Sequence, residues 1–122
     1  MGEEQVKLRE ALEWAEFGLG ALILCHVKLE QGHYEEAMDI VTDIEERFWD
    51  VNDVLEIFAD QLPPNQLMLI GETLAESFRF LSTAYGEDDT LQALRYMEIS
   101  LLPMYQKWEE EVERCVVPLV AN

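Results

Sequence analysis

Histidine and carboxylate side chains are the groups of this chain whose types and spacing could do chemistry. His26 and Glu30 lie four residues apart, so a helix would place them on neighbouring turns, where both could bind a divalent metal ion. No third ligand is visible at a matching spacing. The pattern therefore favours a hydrogen-bonded His26 without a metal, and we expect no metal, other cofactor or catalytic residue.

Pairs of carboxylates on two helices indicate a different chemistry. They are Asp43 with Glu46 and Glu72 with Glu76, together with the nearby bases Arg47 and Arg79. This pattern resembles the all-helical nucleoside-triphosphate pyrophosphatases, in which facing acidic pairs hold Mg²⁺, and the resemblance implies a Mg²⁺-dependent enzyme. We retain it as the enzymatic alternative.

The charge of the chain limits its partners. With 26 acidic and 8 basic residues, the 122-residue chain has a formal net charge of −18. Nucleic acids and anionic membranes require Lys and Arg on the protein surface, so we expect neither as a direct partner. A basic protein partner is compatible with this charge, and so is a protein that mimics nucleic acid.

Cys25 and Cys115 are the two cysteines of the chain. They have no metal-ligand spacing, and in a helical bundle they would lie far beyond the ~7 Å between Cα atoms that a disulfide allows. We expect two free thiols, which are typical of a reducing cytoplasm.

Apolar residues recur at the spacing of helices throughout the chain. The clearest series runs at alternating spacings of three and four, which predicts near-parallel packing against neighbouring helices. Its members are Tyr34, Ala37, Val41, Ile44, Phe48, Val51, Leu55, Phe58 and Leu62.

Glycines and prolines divide the chain into four predicted helices joined by short turns. Short turns favour antiparallel neighbours, so we predict a single all-α domain, an antiparallel up-down-up-down four-helix bundle. Leu91, Leu94, Met97, Leu101, Met104 and Trp108 form the expected core face of helix 4, which should be kinked near Pro103. The predicted ranges are 3–30, 34–60, 65–85 and 89–115, followed by an apolar tail at 116–122 that should dock without continuing the helix.

The stretch from Phe17 to Leu29 is apolar on almost every side. Such a helix must be covered all round, so we predict that it packs against several others. Three neighbours would not cover it fully, which predicts self-association as a homodimer.

The turn from Gln31 to Ala37 resembles the middle of a tetratricopeptide repeat, in which a glycine-containing turn precedes an aromatic residue and a small alanine. Ala21 and Cys25 stand where that repeat has an aromatic residue and a glycine. Kinship with this family would imply a peptide-binding adaptor.

Carboxylates are concentrated on the outer face of the second helix, and two tryptophans fall beside rather than within the apolar stripes. Exposed tryptophan often anchors interfaces, and charge complementarity accelerates association. We therefore predict a cytoplasmic, non-enzymatic adaptor, chaperone or regulator that binds another protein with a basic surface. The predicted partner-binding residues are Asp39, Asp43, Glu46, Asp50, Trp49 and Trp14.

Overall fold

The protein is an all-α bundle of four helical rods, as a computed structural model describes it over residues 2–121. No strand occurs within that range. The fourth rod consists of two α-helices joined by a π turn, so the rods comprise five α-helices. They are α1 (Glu3–Glu30), α2 (Tyr34–Ile57), α3 (Leu67–Gly86), α4 (Thr90–Tyr96), the π turn (Met97–Leu101) and α5 (Leu102–Val120), with a 3₁₀ turn (Ala59–Gln61) after α2.

The helix ends follow the local chemistry of the sequence. Gly32, just beyond α1, has a φ of 81°, a conformation that glycine adopts without strain. The side chain of Asn65 accepts a hydrogen bond from the backbone N–H of Leu67 at 3.0 Å, and that of Asp89 accepts one from Gln92 at 3.0 Å. These bonds satisfy N–H groups that the first turn of a helix leaves free.

The apolar series of α2 forms the centre of the core. Its residues from Ala37 to Phe58 are buried, while Tyr34 and Leu62 at its two ends are half-buried. Phe48 lies 5.5 Å from Phe78 of α3 and 5.0 Å from Trp108 of α5, between ring centroids. The predicted core face of α2 is therefore confirmed.

The prediction that α1 is covered on all sides is wrong. Leu22, Cys25 and Leu29 are buried, but the side chain of Phe17 is 67% exposed and that of Leu24 is also exposed. The contacts of α1 lie chiefly with α2 and α5, and two flanking helices cover only part of a cylinder. One apolar side of α1 stays at the surface.

The core face of the fourth rod differs from the predicted one. The N–H of Leu102 donates to the carbonyl of Met97, five residues earlier, and this wider turn shifts the buried series. Leu91 is exposed and Leu94 and Met104 are only half-buried. Met97, Leu101 and Trp108 are buried as predicted, and Ala93, Tyr105 and Val112 complete the buried series in place of the other three.

Pro103 lies two residues after the π turn, in the first turn of α5. It has no N–H to donate to the carbonyl of Ile99, four residues earlier, so a regular α-helix could not continue through this position without losing a bond. The predicted kink of the fourth rod near Pro103 stays a prediction.

The apolar tail is helical, so the prediction that it leaves the helix is wrong. α5 runs through Pro118 to Val120. Two side chains of α1 stabilise this end, because Gln5 donates to the carbonyl of Leu119 at 3.2 Å and Arg9 to that of Val120 at 2.8 Å. These bonds satisfy carbonyls that have no partner within the helix, and Val120 itself is buried.

Hydrogen bonds join the start of one rod to the later part of the rod that follows it in the chain. Gln61, after α2, donates to Glu4 at the start of α1 at 3.3 Å, and the N–H of Gln66 before α3 donates to Glu111 of α5 at 2.8 Å. The predicted up-down-up-down order requires contacts of this kind.

Candidate functional site

Trp14 and Trp49, which the sequence marked as binding residues, both lie at the surface. Their side chains are 39% and 49% exposed. Trp14 packs edge-on against Phe17 with ring centroids 5.9 Å apart, and the guanidinium carbon of Arg47 lies 4.0 Å from the centre of its ring. The third tryptophan, Trp108, is fully buried.

An apolar groove runs between α1 and α2. Trp14, Phe17, Ala21 and Leu24 line it from α1, and Ile40 lines it from α2. We call it the α1/α2 groove. It has a volume of about 440 Å³, and its α2 edge carries the side chains of Asp43, Glu46 and Arg47.

A second apolar groove, the α2/α3 groove, lies on the other side of α2. Trp49 lines it together with Leu62 and the exposed Met68. Its volume is also about 440 Å³, and Glu56, Glu72 and Arg79 are among its polar lining residues. The acidic outer face of α2 therefore separates two apolar grooves.

The predicted binding residues do not form a single cluster. Trp14, Asp43 and Glu46 share the α1/α2 groove, whereas Trp49 lines the α2/α3 groove. Asp39 and Asp50 are exposed on α2 and line neither groove, and Asp50 lies 3.9 Å from Arg47.

Sequence reasoning missed Phe17 and Leu24, because it assigned the apolar stretch of α1 to the core. It missed Ile40 because this residue lies outside the apolar series of α2. The signal that could have identified Phe17 is its position three residues after Trp14 on the edge of the stripe. Residues three apart are neighbours on a helix, so an exposed Trp14 makes an exposed Phe17 the natural expectation.

The carboxylates of the enzymatic alternative are not brought together. Among residues 2–121, the groups of three or more metal-binding side chains with close ligand atoms include none of Asp43, Glu46, Glu72 and Glu76. Asp43 and Glu46 lie on the edge of the α1/α2 groove, and Glu72 lies in the α2/α3 groove. This arrangement offers no preformed Mg²⁺ site between these two pairs.

One group of close carboxylates joins α1 and α5 and consists of Glu16, Glu109 and Glu113. Glu109 is only 7% exposed, although it belongs to a run of three glutamates, residues 109–111, that would ordinarily lie in solvent. Burial raises the pKa of Glu109 to about 7, and repulsion from Glu113, Glu16 and Glu110 adds to the shift.

Both cysteines are free and buried, as predicted. The thiol of Cys25 donates to the carbonyl of Ala37 at 3.2 Å, and burial raises its pKa to about 12. A thiol of this kind is protonated at neutral pH and therefore unreactive.

Comparison with known proteins identifies a family and no activity. In residues 2–121 no helix combines the length and the apolar character needed to cross a membrane. No curated protein and no solved structure matches the chain. A family described as a domain of unknown function (DUF8042) matches residues 7–111, which is most of the chain, and the protein therefore belongs to the DUF8042 family.

Proposed function

We propose that this protein is a non-enzymatic interaction module, an adaptor, chaperone or regulator, that binds a basic amphipathic helix of another protein in the α1/α2 groove. The observation that supports this most directly is the exposed pair Trp14 and Phe17 beside the acidic edge of α2.

The apolar surface of the groove supplies the driving force for binding. Burying apolar area is favourable by roughly 25 cal/mol per Å², and tryptophan is enriched among the residues that dominate binding energy. Phe17 is the most exposed aromatic residue among those that line the groove. A partner that covers Trp14, Phe17 and Leu24 would remove this surface from water.

The charges around the groove select the partner. α2 carries nine carboxylates and one base, Arg47, and this base already stacks on Trp14 and lies near Asp50. The edge of the groove therefore stays negative. Lysine and arginine side chains on the polar face of a partner would complement Asp43 and Glu46 and raise the association rate.

A helix is the form of partner that fits this surface. The groove lies between two α-helices. The backbone groups of each helix are already hydrogen-bonded within that helix, so an extended peptide could not add to the groove as a strand. Recognition must use side chains, and an amphipathic helix presents apolar anchors at spacings of three and four for this purpose.

The two free thiols support a cytoplasmic location. Both thiols are reduced and buried, as is usual for proteins of a reducing compartment, and we place the interaction in the cytoplasm.

The test uses a fluorescently labelled probe peptide of about 18 residues, with leucine at helical core spacing and lysine elsewhere. We expect saturable binding by the wild-type protein, and at least tenfold weaker binding by Phe17→Gln. A glutamate-for-lysine version of the peptide should not bind. Equal binding of the peptide by wild type and Phe17→Gln would refute the α1/α2 groove as the site.

The contribution of charge is tested with two variants that each remove two carboxylates. Asp43→Asn/Glu46→Gln changes the groove edge, and Glu76→Gln/Glu87→Gln changes exposed positions that line neither groove. Association should slow several-fold, with a weaker salt dependence, only in the first variant. Equal slowing in both variants would mean that net charge alone steers the peptide.

A further inference from the structure

The structure places a third possible metal ligand beside His26, which the sequence alone did not reveal. Its Nε2 lies 3.0 Å from Oε1 of Glu98, which belongs to the π turn 72 residues away. Its Nδ1 lies 3.4 Å from Oε1 of Glu30, one helical turn further along α1. One ligand atom from each of the three residues lies within 4.8 Å of the others.

Two carboxylates on one imidazole ring leave room for additional positive charge. A neutral imidazole has a single N–H, because its other nitrogen is an acceptor. Hydrogen bonds to both carboxylates therefore cannot form at once, and one carboxylate faces a nitrogen lone pair. A cation that this nitrogen and the carboxylates share would satisfy the lone pair and the carboxylate that faces it.

The position of Glu98 depends on an unusual backbone. It lies in the five-residue π turn from Met97 to Leu101, and π turns occur often at functional sites. The surroundings are accessible to an ion from solvent, since the side chain of His26 is 23% exposed and the two carboxylates are more so.

We propose that His26, Glu30 and Glu98 bind a divalent metal ion of the zinc class. Zinc accepts one imidazole nitrogen and carboxylate oxygens at about 2.0–2.2 Å, with a fourth position open to water. Ligand atoms around such an ion are roughly 3.4 Å apart by tetrahedral geometry. With Nε2 of His26 as the nitrogen ligand, Oε1 of Glu98 at 3.0 Å is already close to that spacing. Glu30 contacts the other ring nitrogen, so its carboxylate has to move towards Nε2 to complete the set.

The bound ion would join the end of α1 to the π turn of the fourth rod. It would add a cross-link between α1 and the fourth rod at the point where His26 contacts Glu98. None of these three residues lines the α1/α2 groove, so this inference stands independently of the proposed peptide binding.

The test is calorimetric titration of the full chain with Zn²⁺, repeated with Co²⁺ so that the visible absorption of the metal reports its ligands. We expect one saturable site in the wild type, an increase in Tm on adding Zn²⁺, and a weakening of at least tenfold in both His26→Gln and Glu98→Gln. Circular dichroism verifies that each variant is folded.

Control variants separate this site from general attraction of cations to an acidic protein. Glu109→Gln alters the other carboxylate group, and Glu45→Gln removes one charge from α2. Both should bind Zn²⁺ as the wild type does. Absence of a saturable site in the wild type, or equal weakening in Glu45→Gln and Glu98→Gln, would overturn the proposal, and weakening only in Glu109→Gln would place the ion in the other group.

Discussion

Glu109 offers a sharp test of the structure, because its carboxyl group is buried beside other carboxylates. We predict that Glu109→Gln stabilises the protein at pH 8 and has no effect near pH 4.5. Glutamine has nearly the shape of a protonated glutamate and cannot ionise, so it removes the charge while preserving the packing.

The direction of the stability change follows from the raised pKa of Glu109. The folded protein holds the proton of Glu109 up to about pH 7, whereas the ordinary value for this group is 4.5. Between these values the folded state binds more protons than the unfolded state, so the stability of the wild type falls as pH rises. Below about pH 4.5 Glu109 is protonated in both the folded and the unfolded state. Above pH 7 the folded state carries the full cost of ionising Glu109.

The magnitude of the stability change follows from the size of the pKa shift of Glu109. A change from 4.5 to about 7 corresponds to roughly 3.4 kcal/mol at 1.36 kcal/mol per unit. The neighbouring carboxylates Glu16 and Glu113 can rotate away or take up the proton themselves, which reduces the cost. We therefore expect a gain of about 1–2 kcal/mol for the variant at pH 8.

Urea denaturation of wild type and variant between pH 4.5 and pH 8 measures this difference. The exposed Glu72→Gln in α3 is the matched control, because it removes the same charge from solvent and should change stability by less than about 0.5 kcal/mol. A constant difference across this pH range, or a variant that is less stable at pH 8, would refute the assignment of Glu109 as a buried, destabilising carboxylate.

Further predictions concern the core, the glycines of α1 and self-association. Leu55 is 4% exposed, so Leu55→Ala should reduce the free energy of unfolding by about 2–5 kcal/mol, and a loss below about 1 kcal/mol in chemical denaturation would contradict its place in the core. A Cβ on Gly18 would overlap the hydroxyl of Tyr105, whereas none of the neighbouring atoms comes within 4 Å of one on Gly20. Thermal melts should therefore show Gly18→Ala destabilised by about 1–3 kcal/mol and Gly20→Ala stabilised by roughly 0.5–1 kcal/mol. The exposed side of α1 predicts that sedimentation at micromolar concentration detects a dimer of the 14.2 kDa chain that Phe17→Gln dissociates, and a monomer at all concentrations would exclude this.

The sequence determined the elements of the fold through local physics. The apolar series of α2 identified its buried face because helical periodicity alone decides which residues share a side. Gly32 and Asp89 marked helix ends because their backbone and hydrogen-bonding preferences act over a few residues. The two tryptophans beside the stripes, Trp14 and Trp49, also lie at the surface, and their role in binding stays a prediction.

The register of the fourth rod could not be read in this way. A constant helical period predicts Leu91 and Met104 in the core, and the π turn changes that period at one place, so Tyr105 is buried instead. Leu91 and Met104 are strongly apolar, so the sequence favoured the wrong register. Pro103 signals an irregularity in the helix but does not specify its form.

Tertiary packing alone decided which polar and apolar groups meet across helices. Phe17 is apolar in sequence yet exposed, because the flanking helices cover only part of α1, and Glu109 is charged yet buried, because α5 turns it towards α1. Glu98 meets His26 across 72 residues, a separation at which local periodicity carries no information. Each outcome depends on the rotation of one helix against another, which is set by the summed packing of the whole core.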